Sequence, residues 1–167
     1  MKNLLFFLLL IFSCNLYAQN MTVKEMGKIL KKEAKIIEGK DGIWTIEYGE
    51  HPVMVVTDEK ANRMRIFTPI VPSDEVNEKA LIKMLEANFH SALDAKYSIW
   101  EGVIISVFTH PLRELTEFQI IDAVKQVVRL ADTFGTTFSS TEFIFGGEEK
   151  ENKKTERTNV KPGEKRS

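Results

Sequence analysis

Between Thr22 and Gly135 the apolar residues of this chain switch repeatedly between helical and strand spacing, and that switching decides the fold class. Val23, Met26, Leu30, Ala34 and Ile37 recur at intervals of three and four, with lysines opposite. This predicts an amphipathic helix over 23–38, started by a Thr22-Val-Lys-Glu25 capping box and stopped by Gly39. Three short runs with strand character follow: Ile43–Tyr48, Val53–Thr57 and Arg63–Val71.

A second helix is expected over 75–94, capped by Ser73 or Asp74, with Ile82, Leu85, Phe89 and Leu93 on its buried face. Lys96–Trp100 and Val103–Thr109 then form a hairpin around Glu101-Gly102. Leu115-Thr116-Glu-Phe-Gln119 holds a further capping box. It opens a third helix with Ile120, Val124, Val127, Ala131 and Phe134 on one stripe. The predicted class is α+β, in the order α-β-β-β-α-β-β-α. A five-stranded antiparallel sheet packs its helices on one face.

The ends of the chain read differently. Met1-Lys2-Asn3 precedes nine consecutive apolar residues, LLFFLLLIF, and then Ser-Cys-Asn-Leu-Tyr-Ala. That order is a secretory leader, residues 1–18, cut after Ala18. As a helix the run reaches only roughly 14 Å, against a hydrocarbon core of roughly 30 Å, so a membrane span is not expected. A cut before Cys14, with lipidation of that cysteine, is the second reading. The first places the mature protein in the periplasm or outside the cell. Residues 19–147 then form one domain, with 15 Lys and Arg against 19 Asp and Glu. Residues 148–167 have Val160 as their sole aliphatic side chain and no aromatic, and are expected to form a disordered charged tail. The piece around Phe138 and Phe143-Ile-Phe145 has no strong period. It either packs back on the core or forms a contact surface.

Composition removes several function classes. The whole chain carries 23 basic and 24 acidic residues, so there is no basic excess for nucleic acid. One cysteine permits no disulfide framework and no multi-cysteine zinc site. His51, His90 and His110 have no metal-ligand spacing, and no serine lies in a nucleophile motif. No glycine-rich phosphate loop occurs. No cofactor, no metal and no catalytic residue is therefore assigned.

The strand aromatics remain. Trp44 and Tyr48 share a face by alternation, and Trp100 lies beside the Glu101-Gly102 turn. A sheet covered on one side leaves such residues exposed on the other. Trp44, Tyr48 and Trp100 are accordingly the candidate partner-binding residues.

From Leu85 to Phe134 the chain shows a helix with Asn88, a two-strand hairpin, a Leu115-Thr116 helix start and a long closing helix. With the element order over 22–140, this resembles the type III secretion chaperone-like fold, which includes the Tir-chaperone and YbjN-type proteins. The resemblance implies a non-enzymatic protein that pairs as a dimer or holds an extended segment of a partner chain. The expected function is an exported binding module with a protein or peptide partner, including a second copy of itself. The alternative is a cell-envelope hydrolase with a dispersed, histidine-dependent site.

Overall fold

The computed structural model describes residues 20–141. The expected leader, Cys14, the Phe143-Ile-Phe145 piece and the charged tail all lie outside them. Three α-helices and a six-stranded antiparallel sheet make up the described part. Helix α1 is Val23–Glu33, and strands β1 to β4 are Lys35–Lys40, Ile43–Tyr48, His51–Asp58 and Arg63–Pro72. After a 3-10 turn at Ser73–Glu75 come α2, Glu78–His90, then β5, Lys96–Trp100, β6, Val103–His110, and α3, Glu117–Asp132. The strand order is β1-β2-β3-β4-β6-β5.

The capping boxes behave as the sequence predicts. Glu25 N–H donates to Thr22 Oγ1 at 3.2 Å, and Thr22 N–H donates to the Glu25 carboxylate at 3.2 Å. Thr116 and Gln119 make the same reciprocal pair at the start of α3. Upstream, Met21 is buried, with its N–H on Arg113 O at 3.0 Å.

Two expectations are corrected. The first helix ends at Glu33, not 38, and the residues beyond it form a sixth strand. Asp41 and Gly42, both at positive φ, make the tight turn that folds β1 onto β2. Gly42 is required there: a Cβ would lie 2.2 Å from Thr57 Oγ1, whose hydroxyl donates to Gly42 O at 2.9 Å. The second helix starts at Glu78 rather than 75. Asn77 is its cap, accepting Ala80 N–H at 3.0 Å, while Ser73–Glu75 form the separate 3-10 turn.

The core lies between one sheet face and helices α1 and α3. Helix α3 crosses β3, β4 and β6 and buries Ile120, Ala123, Val124, Val127, Leu130 and Ala131. From the sheet come Trp44, Ile46, Val53, Val55, Ile66, Tyr97, Ile104 and Phe108. Helix α1 sits close on Trp44: a Cβ on Gly27 would approach the indole to 3.0 Å. Buried Gln126 of α3 accepts the Asp94 and Ala95 amides at 3.2 and 3.3 Å, pinning the α2–β5 loop.

Helix α2 reaches the core through Met84 and Ala87. It lies along β5, where Asn88 Oδ1 accepts Tyr97 N–H at 2.7 Å and Asn88 Nδ2 donates to Tyr97 O at 3.2 Å. One side chain thereby satisfies the free backbone edge of the sheet at that residue. Met84 and Ala87 are buried. The stripe expected to be buried is not: Ile82 is 50%, Leu85 70% and Phe89 70% exposed, and Leu93 lies beyond the helix at φ 48.

Candidate binding surface

Antiparallel register fixes which side chains share the face opposite α1 and α3. Thr45, Met54, Phe67 and Val107 stand opposite one another on β2, β3, β4 and β6. A neighbouring row holds Lys40, Ile43, Val56, Arg65 and Thr109. On β5, Trp100 opposes Val103, two residues along β6 from Ile105. No described helix covers these positions.

The face is apolar at its centre. Trp100 lies edge-on to Phe67, with ring centroids 5.3 Å apart at an interplanar angle of 79°. Phe67 and Ile105 are buried, yet both stand outside the core cluster. They and Trp100 form a small apolar cluster on the other side of the sheet, with Trp100 47% exposed. Met54, Val56 and Val107 are half-buried around it, and Arg65 is exposed at its margin.

Of the three residues singled out from sequence, the structure places one here. Trp100 is on this face. Trp44 is buried under α1, so the expectation of an uncovered Trp44 is corrected: it is core. Tyr48 is half-buried on the same side as Trp44, in a cleft with Ile29, Leu30, Ile120, Ile121 and Val124 between α1 and α3. Trp44 and Tyr48 do share a face, but it is the helix-covered one. Phe67, Ile105 and Met54 belong to the surface and were not singled out as partner-binding. The alternation of Arg63, Arg65 and Phe67 against Met64 and Ile66 is the signal that separates the two sides of β4.

The titratable groups are scattered. His51 Nε2 lies 2.6 Å from Asp132 Oδ1, linking the start of β3 to the end of α3. His110 stacks on Phe108, and its Nδ1 is 2.8 Å from Pro111 O. His90 is exposed beside Phe89. Ser91 Oγ donates to Phe138 O at 2.6 Å and Ser140 Oγ to Ala92 O at 2.8 Å, while the buried Ser106 Oγ has no hydrogen-bond partner among the described residues. Burial pushes the Lys96 ammonium below its ordinary range, against the pull of Asp94, while its Nζ donates to Asn88 O at 2.6 Å and to Leu93 O. Burial raises the Tyr97 hydroxyl, which donates to Leu130 O at 2.8 Å. Both groups hold the β5 side of the molecule together. Among the described residues no group of three or more His, Cys, Asp or Glu is placed to hold a metal ion.

No protein-family profile matches the chain, and no curated protein matches it. Solved structures do. A chain of the HopA1–SchA chaperone–effector complex superposes with a TM-score of 0.52 at 9% identity, over 65% of this chain and 88% of that one. A chain of the complex between the Yersinia pestis type III secretion chaperone SycH and a stable fragment of YscM2 gives 0.53 at 11% identity, over 68% and 99%. At these identities the likeness is one of fold. The chain has the type III secretion chaperone-like fold.

Proposed function

We propose that this chain is an exported, non-enzymatic binding module that holds an extended segment of a partner protein on the open face of its sheet, with Trp100 as the anchor. The observation that carries the reading is the Trp100–Phe67–Ile105 cluster, apolar, outside the core and uncovered by any described helix. An amphipathic aromatic in such a patch supplies a large contact area at little entropic cost. The fold likeness supports the same class of function, since the two solved complexes pair a chaperone with a protein partner. Export rests on the leader pattern of residues 1–18.

A photoreactive residue in place of Ser98, which neighbours Trp100 on β5, tests the reading in the native host. The expected result is a discrete protein adduct that Trp100→Ala weakens by about tenfold or more, as central aromatic anchors do. The same residue placed at Lys28 of α1 should give no such adduct. Equal adducts at both positions, or none at Ser98, would remove the open face as the contact site.

The His51–Asp132 contact favours one other reading, an envelope hydrolase with His51 as base. There, His51→Gln abolishes an activity. In the binding module it leaves the Ser98 adduct intact.

A further inference from the structure

Helix α2 presents a second apolar surface, on the outside of the molecule. Ile82 and Leu85 are 50% and 70% exposed, and Phe89 continues their line along the helix. From Ile82 to Phe89 this stripe runs roughly 10 Å. Glu78 and Glu86 border it together with Lys79 and Lys83, a balanced set that selects an apolar occupant over a charged one.

The described chain ends close to this stripe. Ser140 N–H donates to Ser91 O at 3.1 Å and its hydroxyl to Ala92 O, while Ser91 Oγ holds Phe138 O. Ser91 is the C-cap of α2. The backbone therefore reaches Thr141 beside the C-terminal end of α2, the end at which Phe89 lies. C-terminal to Thr141 the sequence holds a single run of apolar residues, Phe143-Ile144-Phe145, followed by Gly146-Gly147 and a charged stretch. Six extended residues span at most roughly 20 Å, enough to travel the whole stripe from its Phe89 end.

We propose that Phe143-Ile144-Phe145 docks back along the outer face of α2, over Leu85 and Ile82, and so keeps a second copy of the chain off that face. Three features select this occupant: where the described chain stops, the length of chain beyond it, and the apolar triplet that Gly146-Gly147 separates from the charged stretch. Tethering gives it an effective concentration in the millimolar range, on the order of what a short flexible link provides, so a free partner must compete against it. The proposal concerns a different surface from the Trp100 face and stands or falls separately from the partner-binding role.

The test is disulfide trapping in the full chain with Cys14→Ser, so that no other thiol is present. In the Leu85→Cys/Phe145→Cys variant, mild oxidation should close an intramolecular disulfide. Adding Phe143→Asp should slow closure about tenfold, because the tether is unchanged but one buried aromatic is lost. Closure that Phe143→Asp does not slow would mean tethering alone brings the thiols together, and overturns the proposal. Disulfides that form between two chains instead assign the stripe to a second copy and overturn it as well. Leu85 is exposed, so the cysteine substitution there leaves the fold standing.

Discussion

Helices α2 and α3 each carry an apolar stripe, and the two stripes meet opposite fates. The α3 stripe is buried against β3, β4 and β6, and Val127 at its middle is fully buried. The α2 stripe faces outward, and the helix is held by Met84 and Ala87 in the core and by Asn88, which binds both backbone groups of Tyr97. The difference lies in what each helix meets. Helix α3 finds a broad sheet face, where burial of apolar area is worth roughly 25 cal/mol per Å². Helix α2 finds a sheet edge, which offers hydrogen-bonding groups and little apolar area. A helical period states that a stripe needs cover, and the neighbouring element decides what supplies it.

The largest expected effect is at Val127. A Val127→Asp change places an unpaired carboxylate in the core, at a cost of several kcal/mol against a typical total of ~5–15 kcal/mol. Circular dichroism with urea titration should show loss of the cooperative transition. A soluble, fully folded variant would mean that the face of α3 is wrongly assigned.

Asn88→Ala comes next. It removes both bonds to the β5 edge and should cost about 1–3 kcal/mol. Hydrogen exchange at the Tyr97 amide should accelerate by more than the global loss of stability accounts for, because α2 is released locally. An unchanged exchange rate would show that α2 is held by packing alone. The smallest effect is at Leu85: Leu85→Ser should shift the urea midpoint by less than about 1 kcal/mol equivalent, since the side chain stands outside the core and its loss touches only the contact with the docked Phe143–Phe145 segment. A cost approaching that of Val127→Asp would erase the distinction between the two helices.

Much of this architecture can be read from local chemistry. Thr22 with Glu25 and Thr116 with Gln119 announce their helices, because a cap involves only neighbours three residues apart. The Glu101-Gly102 turn likewise announces the β5–β6 hairpin, with both residues at positive φ. The sixth strand is lost because Ala34 and Ile37 happen to extend the α1 period, while the Asp41-Gly42 turn signal argues for a hairpin there. The start of α2 is ambiguous because Ser73, Asp74 and Asn77 are all competent caps; Asn77 takes the helix and the other two sit in a 3-10 turn. The candidate surface is half legible. Alternation pairs Trp44 with Tyr48 correctly, but parity along one strand cannot say which side the helices occupy. That is a long-range fact, fixed only when Ile46 joins Val53 and Val55 in the core beneath α1 and α3.

The close seat of α1 on Trp44 has a spectroscopic consequence. The chain has two tryptophans, and the sheet separates them: Trp44 sealed against Gly27, Trp100 on the solvent side against Phe67. A soluble quencher such as iodide reaches the second indole and not the first. The quenchable part of the native emission therefore reports whether the open face is occupied, and the protected part reports whether the core is intact. One unlabelled sample distinguishes a ligand that lands on the sheet from a condition that unfolds the protein.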